Sequence, residues 1–116
     1  MHPLISLSTD FGLNKGIGIM KACILDICPD AVIIDLAHNI QSFDITDGAR
    51  LFESVAYVRK GEHVCVVDPG VGTKRQGLII ETGRGDHLIG PDNGVLIPAT
   101  RFLGGIRRAH RITTRN

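Results

Sequence analysis

The chain has 116 residues, of which 43% are hydrophobic and 22% are charged, and its formal net charge is +1. This length allows one domain of ordinary size and excludes a second complete domain. No apolar run approaches the roughly 18 residues that a membrane-spanning helix needs, and the first residues lack the basic and apolar segments of a secretory signal. We therefore expect a cytoplasmic protein without a membrane partner.

The three cysteines indicate neither a disulfide framework nor a zinc site. The count is odd, and Cys23, Cys28 and Cys65 include no C-x-x-C pair. Disulfide-stabilised small domains and structural zinc sites use paired cysteines at short, regular spacings. We interpret all three as small core residues.

The charges are unevenly distributed along the chain. Up to Asp92 there are 12 acidic and 8 basic residues, whereas five arginines and no acidic residue follow. A basic end can bind nucleic acid, but the chain has only four Phe, one Tyr and no Trp for base stacking. We interpret the basic end as a solvated edge strand and do not expect a nucleic-acid partner.

Apolar runs and helical periodicity alternate along the chain. Residues 4–8 form a short apolar strand, residues 16–28 show helical spacing that Pro29 ends, and residues 31–36 form a β-branched strand. Asp44 is placed to cap a helix that runs to about residue 58. Further strands are predicted at 64–67, 78–81, 87–89 and 106–112, with a short helix at 95–102.

This alternation predicts one α/β domain over residues 1–116, a layered structure with a mostly parallel central sheet flanked by helices. Four acidic residues come directly at or after predicted strands: Asp10, Asp35 (with His38 three residues later), Asp68 and Asp92. In open α/β sheets, ligands bind beyond the carboxyl ends of the strands. The four carboxylates would form an acidic site suited to a cation, a metal ion or sugar hydroxyls.

Each of these residues also has a purely structural interpretation. Asp10 and Asp68 could cap turns, His38 could be a core residue, and Phe43 could be a hydrophobic staple before the Asp44 cap. Residues 91–94 (Pro-Asp-Asn-Gly) have the composition of a tight turn. A metal site built from Asp10, Asp68 and Asp92 lacks any supporting ligand spacing, and we predict no metal.

Four segments, in this order, resemble one family. They are residues 9–12 (Thr-Asp-Phe-Gly) with Met20-Lys21, residues 34–38 (Ile-Asp-Leu-Ala-His), residues 66–73 (Val-Val-Asp-Pro-Gly-Val-Gly-Thr) with Arg75, and residues 90–94 (Gly-Pro-Asp-Asn-Gly). The combination is similar to the S-adenosylmethionine hydroxide adenosyltransferases, adenosine-forming hydrolases related to the fluorinase and chlorinase enzymes. The resemblance covers about residues 4–97.

The resemblance implies hydrolysis of S-adenosylmethionine to adenosine and methionine by water attacking C5′, with no cofactor besides this substrate. It implies that Asp68 and Arg75 are catalytic and favours water over halide as nucleophile. The residues that it matches to substrate binding are Asp10 at the ribose hydroxyls, Phe11, Phe43, Pro69, Val71 and Asn93. It also implies a homotrimer, with substrate bound between the N-terminal domain of one subunit and the C-terminal β-barrel domain of its neighbour.

The chain departs from the family pattern in two places. Residues 13–17 replace a segment that usually contains an Asp and an aromatic residue, and the chain ends before the family's His-containing segment and its C-terminal domain. We therefore expect a truncated N-terminal domain with impaired or no activity. The alternatives are a halide-using adenosyltransferase and a non-catalytic module for nucleoside binding or oligomerisation.

Overall fold

A computed structural model describes residues 2–11, 16–40, 44–67 and 77–112. In chain order these form β1 (Leu4–Thr9), α1 (Gly16–Ile27), β2 (Val32–Ala37), α2 (Ile45–Phe52), a 3₁₀ helix (Glu53–Tyr57), β3 (Glu62–Val66), β4 (Gly77–Thr82), β5 (His87–Pro91), α3 (Ile97–Thr100) and β6 (Ile106–Ile112). The described strands make one sheet in the order β2-β1-β3-β5-β4-β6.

The sheet is parallel on one side and antiparallel on the other. Strands β2, β1, β3 and β5 are mutually parallel, whereas β4 runs antiparallel to both β5 and β6. The predicted α/β domain with a mostly parallel sheet is therefore confirmed. As a consequence, the carboxyl ends of β1, β2, β3 and β5 lie at one edge of the sheet.

The main core lies between one face of the sheet and the helices that follow β2 and β5. Phe52 and Val55 from the α2 region and Leu96 and Leu103 around α3 are almost completely buried. They pack in one cluster with strand residues that include Ile80 and Leu88. Burying a side chain of this size contributes about 1.5–3 kcal/mol, so this layer supplies much of the stability.

Helix α1 lies on the opposite face, because Ile24 shares an apolar groove with Ile5, Val64 and Ile89. Successive strand residues point to opposite faces, so these side chains point away from the main core. None of the α1 residues is fully buried, and Ile27, which the helical spacing predicted on the packed face, is 86% exposed. Among the described residues, α1 therefore covers this face of the sheet only partly.

Two further details differ from the sequence-based expectations. The helix predicted to reach residue 58 changes to a 3₁₀ helix at Glu53, where the Ser54 hydroxyl donates to the Leu51 carbonyl at 2.6 Å. Such side-chain bonds compete with the regular helical pattern. The assignment of all cysteines to the core is wrong, since Cys65 is buried but Cys23 is exposed on α1 and Cys28 is only partly buried.

Two predictions about local structure are confirmed. Asp44 caps α2, accepting the Asp47 backbone N–H at 2.9 Å, and β6 is exposed at every residue from Ile106 to Ile112. Over the described ranges, no helix is long and apolar enough to cross a membrane.

Candidate functional site

The carboxyl edge of the parallel strands brings several predicted site residues together. Asp10 follows β1, and its backbone N–H donates to the Val66 carbonyl at the end of β3, at 3.4 Å. The Asn93 side chain, which follows β5, donates to the Val67 carbonyl at 2.9 Å. The residues that follow β1 and β5 are therefore both bonded to the end of β3 at one edge of the sheet, as the sequence predicts for strand-end residues.

The Asp10 carboxylate belongs to a half-buried turn beside the core. Burial and, secondarily, the negative charge of Asp10 raise the pKa of the Cys65 thiol to about 12. Cys65 therefore stays protonated at neutral pH and has no nucleophilic role. Phe11 is also half-buried, and its backbone N–H donates to the Thr9 hydroxyl oxygen at 3.1 Å.

Asn93 has a clear structural role. Its side-chain oxygen accepts the Val95 backbone N–H at 3.0 Å while its amide N–H binds the Val67 carbonyl. Both ends of the amide are thus bonded to backbone, which is the turn-forming role that the composition of residues 91–94 indicates. Asp92 beside it lies 3.7 Å from the Arg111 guanidinium.

The second strand contributes a pair of titratable side chains. Asp35 Oδ1 lies 2.7 Å from His38 Nε2, and Asp35 Oδ2 accepts from Lys21 Nζ at 2.6 Å. The hydrogen bonds from Lys21 and then His38 lower the pKa of Asp35, so this carboxylate is ionised at neutral pH. Asp35 is therefore bonded to Lys21 and His38 and does not face the edge as an isolated carboxylate.

The remaining predicted site residues lie outside the described residues. These are Phe43 and the residues of the segment after β3, namely Asp68, Pro69, Val71 and Arg75. Their assignments to catalysis and substrate binding stay predictions. Among the residues that are described, no group of three metal-ligating side chains is assembled.

A buried Ser-His-Asp arrangement was not predicted from the sequence. Ser6 Oγ lies 2.7 Å from His63 Nδ1, and His63 Nε2 lies 2.8 Å from Asp86 Oδ2. All three side chains are fully buried, so no substrate reaches them. The available signal was the presence of Ser6 and His63 within otherwise apolar strands, which marks polar groups that need partners.

Arg84 completes this buried network. Its guanidinium binds both Asp86 oxygens, at 2.6 and 2.8 Å. Burial alone would raise the pKa of Asp86, but hydrogen bonds from Arg84, His63 and the Gly61 N–H outweigh it and lower the pKa to about 2. Burial lowers the pKa of His63, so the network contains a neutral imidazole between a hydroxyl and a carboxylate.

A cleft of about 620 Å³ lies at the other edge of the sheet. It is lined by residues that begin their strands, including Leu4, Glu62 and His87, together with the backbone of Gly61. The cleft therefore opens away from Asp10 and Asn93, and it does not coincide with the site that the strand ends predict.

Comparisons with known proteins match this chain along almost all its length. Residues 5–116 match the family model described as the SAM hydroxide adenosyltransferase N-terminal domain. The chain is 44% identical over 115 residues to the (R)-S-adenosyl-L-methionine hydrolase of Methanocaldococcus jannaschii, covering 94% of this chain and 43% of that protein. It is also 35% identical over 50 residues to a fluorinase of Nocardia brasiliensis, covering 42% of this chain and 17% of that protein.

The fold has a close counterpart among solved structures. The crystal structure of an uncharacterized conserved protein from Thermotoga maritima superposes with a TM-score of 0.87 at 30% identity, covering 94% of this chain and 43% of that one. The chain thus spans less than half the length of these hydrolase and structural relatives. On its motifs, its fold and these matches, the chain belongs to the S-adenosylmethionine hydroxide adenosyltransferase family and corresponds to that family's N-terminal domain.

Proposed function

We propose that this chain is the N-terminal domain of an enzyme that hydrolyses S-adenosylmethionine to adenosine and methionine. The observation that carries the proposal is the 44% identity to a relative named for this activity, maintained over 94% of the chain. That relative is named for the R form of the substrate, and the proposal extends to this form. The similarity to fluorinase covers less than half of the chain, which favours water over halide as nucleophile.

The chemistry requires little more than a positioned nucleophile. Attack of water at C5′ breaks the bond between C5′ and the sulfonium, and the electron pair leaves with sulfur as the neutral thioether of methionine. The water oxygen becomes the 5′-hydroxyl of adenosine after it loses one proton to Asp68 or to solvent. No acid is needed to protonate this leaving group. A water-excluding pocket that fixes the nucleophile in line with the carbon–sulfur bond lowers the barrier through orientation and electrostatic stabilisation.

The proposed residue roles divide into binding and chemistry. Asp10 accepts hydrogen bonds from the ribose hydroxyls, as carboxylates do in nucleotide sites. Asp68 and Arg75 orient or deprotonate the attacking water. Phe11, Phe43, Pro69, Val71 and Asn93 line the substrate site. The position of Asp10 at the carboxyl edge of the parallel strands supports its role, because ligands of open α/β sheets bind at that edge.

We also propose a cytoplasmic homotrimer. The exposed apolar side chains of α1 support self-association, because Ile19, Leu25 and Ile27 are large and accessible among the described residues. Light scattering on the purified protein tests this assembly. A monodisperse monomer at micromolar concentration would contradict it.

The activity is tested by incubating the complete encoded protein with S-adenosylmethionine in a buffer that contains a chelator and chloride. We expect adenosine and methionine in equal amounts, with faster conversion of the R form than of the S form at sulfur. A 5′-halogenated nucleoside as product would establish the halide alternative. Activity that is lost with the chelator and restored by a divalent ion would instead assign the carboxylates to a metal site. Binding of adenosine without turnover would favour the non-catalytic module.

A further inference from the structure

Four side chains form a continuous hydrogen-bonded chain from the surface to the turn that carries Asp10. Lys21 Nζ donates to Asp35 Oδ2 at 2.6 Å, Asp35 Oδ1 lies 2.7 Å from His38 Nε2, and His38 Nδ1 lies 2.7 Å from Thr9 Oγ1. The side chain of Lys21 is 34% exposed and that of His38 is 16% exposed, whereas Thr9 is fully buried. We call these four residues the Thr9 relay.

The chemistry of the groups fixes the direction of the two hydrogen bonds to Asp35. A lysine ammonium only donates and an ionised carboxylate only accepts, so His38 must donate to Asp35 through Nε2–H. The other ring nitrogen, Nδ1, either accepts from the Thr9 hydroxyl or donates to its oxygen, and in both cases the bond holds the Thr9 side chain. Asp35 thus sets the orientation of the His38 ring, and His38 sets the rotamer of Thr9.

The Thr9 oxygen has a second bond, which ties the relay to the backbone. It accepts the Phe11 N–H at 3.1 Å, across the intervening Asp10. This side-chain-to-backbone bond closes a small turn of the kind that Ser and Thr form. Asp10 is therefore held between a threonine fixed by the relay and a backbone amide fixed by the same threonine.

An irregularity in the sheet makes this arrangement possible. The register of β1 against β2 shifts after Leu7, which pairs with Asp35, whereas Ser8 pairs with Ala37. The extra residue in β2 is Leu36. Bulges of this kind re-aim the side chains that follow them, and here the bulge lies between Asp35 and His38. As a result, the Asp35 and His38 side chains contact each other beside Thr9.

We propose that His38 is a positioning residue, which holds the Thr9 hydroxyl and thereby fixes the Asp10 turn for substrate. The proposal depends on the proposed function for the identity of the substrate. It predicts that the effect of the relay on substrate binding passes through the Asp10 carboxylate, because Asp10 lies between Thr9 and the Phe11 amide that Thr9 holds.

Amide hydrogen exchange on this chain tests the ordering of the turn directly. Thr9→Val keeps the side-chain shape and removes the hydroxyl, and His38→Phe removes the ring nitrogens at a less buried position. We expect both to accelerate exchange of the Phe11 amide about five- to tenfold, the effect of one hydrogen bond, with β3 and β5 amides unchanged. Thr9→Ser, which keeps the hydroxyl, should leave the Phe11 amide exchanging as slowly as in the parent. Ser8→Ala, which removes the neighbouring buried hydroxyl, is the matched control and should have no effect on Phe11.

A kinetic double-mutant cycle in the complete encoded protein tests the positioning of substrate. His38→Phe should raise KM about three- to tenfold with kcat nearly unchanged, and it should add nothing when Asp10 is already alanine. Unchanged Phe11 exchange in both relay variants, or KM effects that simply multiply with that of Asp10→Ala, would overturn the proposal. Faster Phe11 exchange together with an unchanged KM in Asp10→Ala would support the relay and count instead against the ribose role of Asp10.

Discussion

At the scale of single residues, Asp10 and Asp68 should differ in the kinetic constant that they control. A residue that holds the ribose equally in the ground and transition states contributes to binding without accelerating the chemical step. Asp10→Ala should therefore raise KM about ten- to hundredfold, the effect of losing a charged hydrogen bond of roughly 1.5–3 kcal/mol, with a small change in kcat. Steady-state kinetics measure this, with Asp26→Ala on the exposed side of α1 as the control. A decrease in kcat alone would remove Asp10 from ribose binding.

Asp68 should show the opposite pattern. If it acts on the attacking water, Asp68→Asn removes a positioned base and should lower kcat about 10²- to 10⁴-fold while KM changes little. The variant must retain the circular dichroism and melting temperature of the parent, because an aspartate before Pro69 can also cap a turn. Equal, small changes in both constants in a folded protein would make Asp68 a structural turn residue.

The sequence predicted the positions of polar residues better than it predicted their hydrogen-bond partners. Asp10, Asp35 with His38, and Asp92 were expected at one edge of the sheet, because residues directly after parallel strands share that edge. The bonds among Thr9, His38, Asp35 and Lys21 were not predicted, because they depend on a bulge that shifts the register of β2 by one residue. A bulge leaves no signal in the hydrophobic pattern of a strand that is apolar on both faces.

At the scale of elements, the predicted strands and helices are confirmed to within a few residues where patterns are strong. The run in residues 31–36 corresponds to Val32–Ala37, and residues 106–112 correspond to Ile106–Ile112. The antiparallel direction of β4 was not predicted, since direction is set by the connections and the tertiary pairing rather than by composition. Likewise Ile27 follows the helical spacing yet its side chain is exposed, so helical periodicity alone did not predict which residues of α1 are covered.

The buried network that joins β1, β3 and the β4–β5 turn should make the fold sensitive to acid. The folded-state pKa of Asp86 is about 2, below its ordinary 3.8, so its stabilisation is complete above about pH 4 and is lost as the pH falls towards 2. His63 also has a lowered pKa, so its contribution is present above its ordinary 6.5 and decreases as the pH falls below that value. Both effects have the same sign, and stability should decrease from about pH 6.5 downwards.

The variant Asp86→Asn tests this contribution. It leaves the Arg84 guanidinium without its carboxylate, and breaking a buried ion pair costs about 3–5 kcal/mol, of which we expect the lower part because Arg84 is one-third exposed. Urea unfolding at pH 7 and pH 3 should show a lower free energy of unfolding at pH 7 and a shallower loss between the two pH values. Asp30→Asn, at an exposed position, is the control. An unchanged pH dependence in Asp86→Asn would assign the acid sensitivity to other carboxylates.

At the scale of the whole molecule, this chain alone should bind the substrate poorly. It corresponds to 43% of the length of the Methanocaldococcus jannaschii hydrolase, and we propose that substrate lies between this domain and residues from a neighbouring subunit's second domain. One wall of an interface site offers only part of the hydrogen bonds and excludes little water. The ligand nevertheless loses nearly as much translational freedom as it does on binding to the whole site. Isothermal titration of residues 1–116 with adenosine and with S-adenosylmethionine should therefore give dissociation constants above the micromolar range or no measurable heat. The complete encoded protein is the matched comparison and should bind both more tightly. Submicromolar binding by the isolated chain would show that this domain contains a whole site, and the role that we assign to the neighbouring subunit would then be wrong.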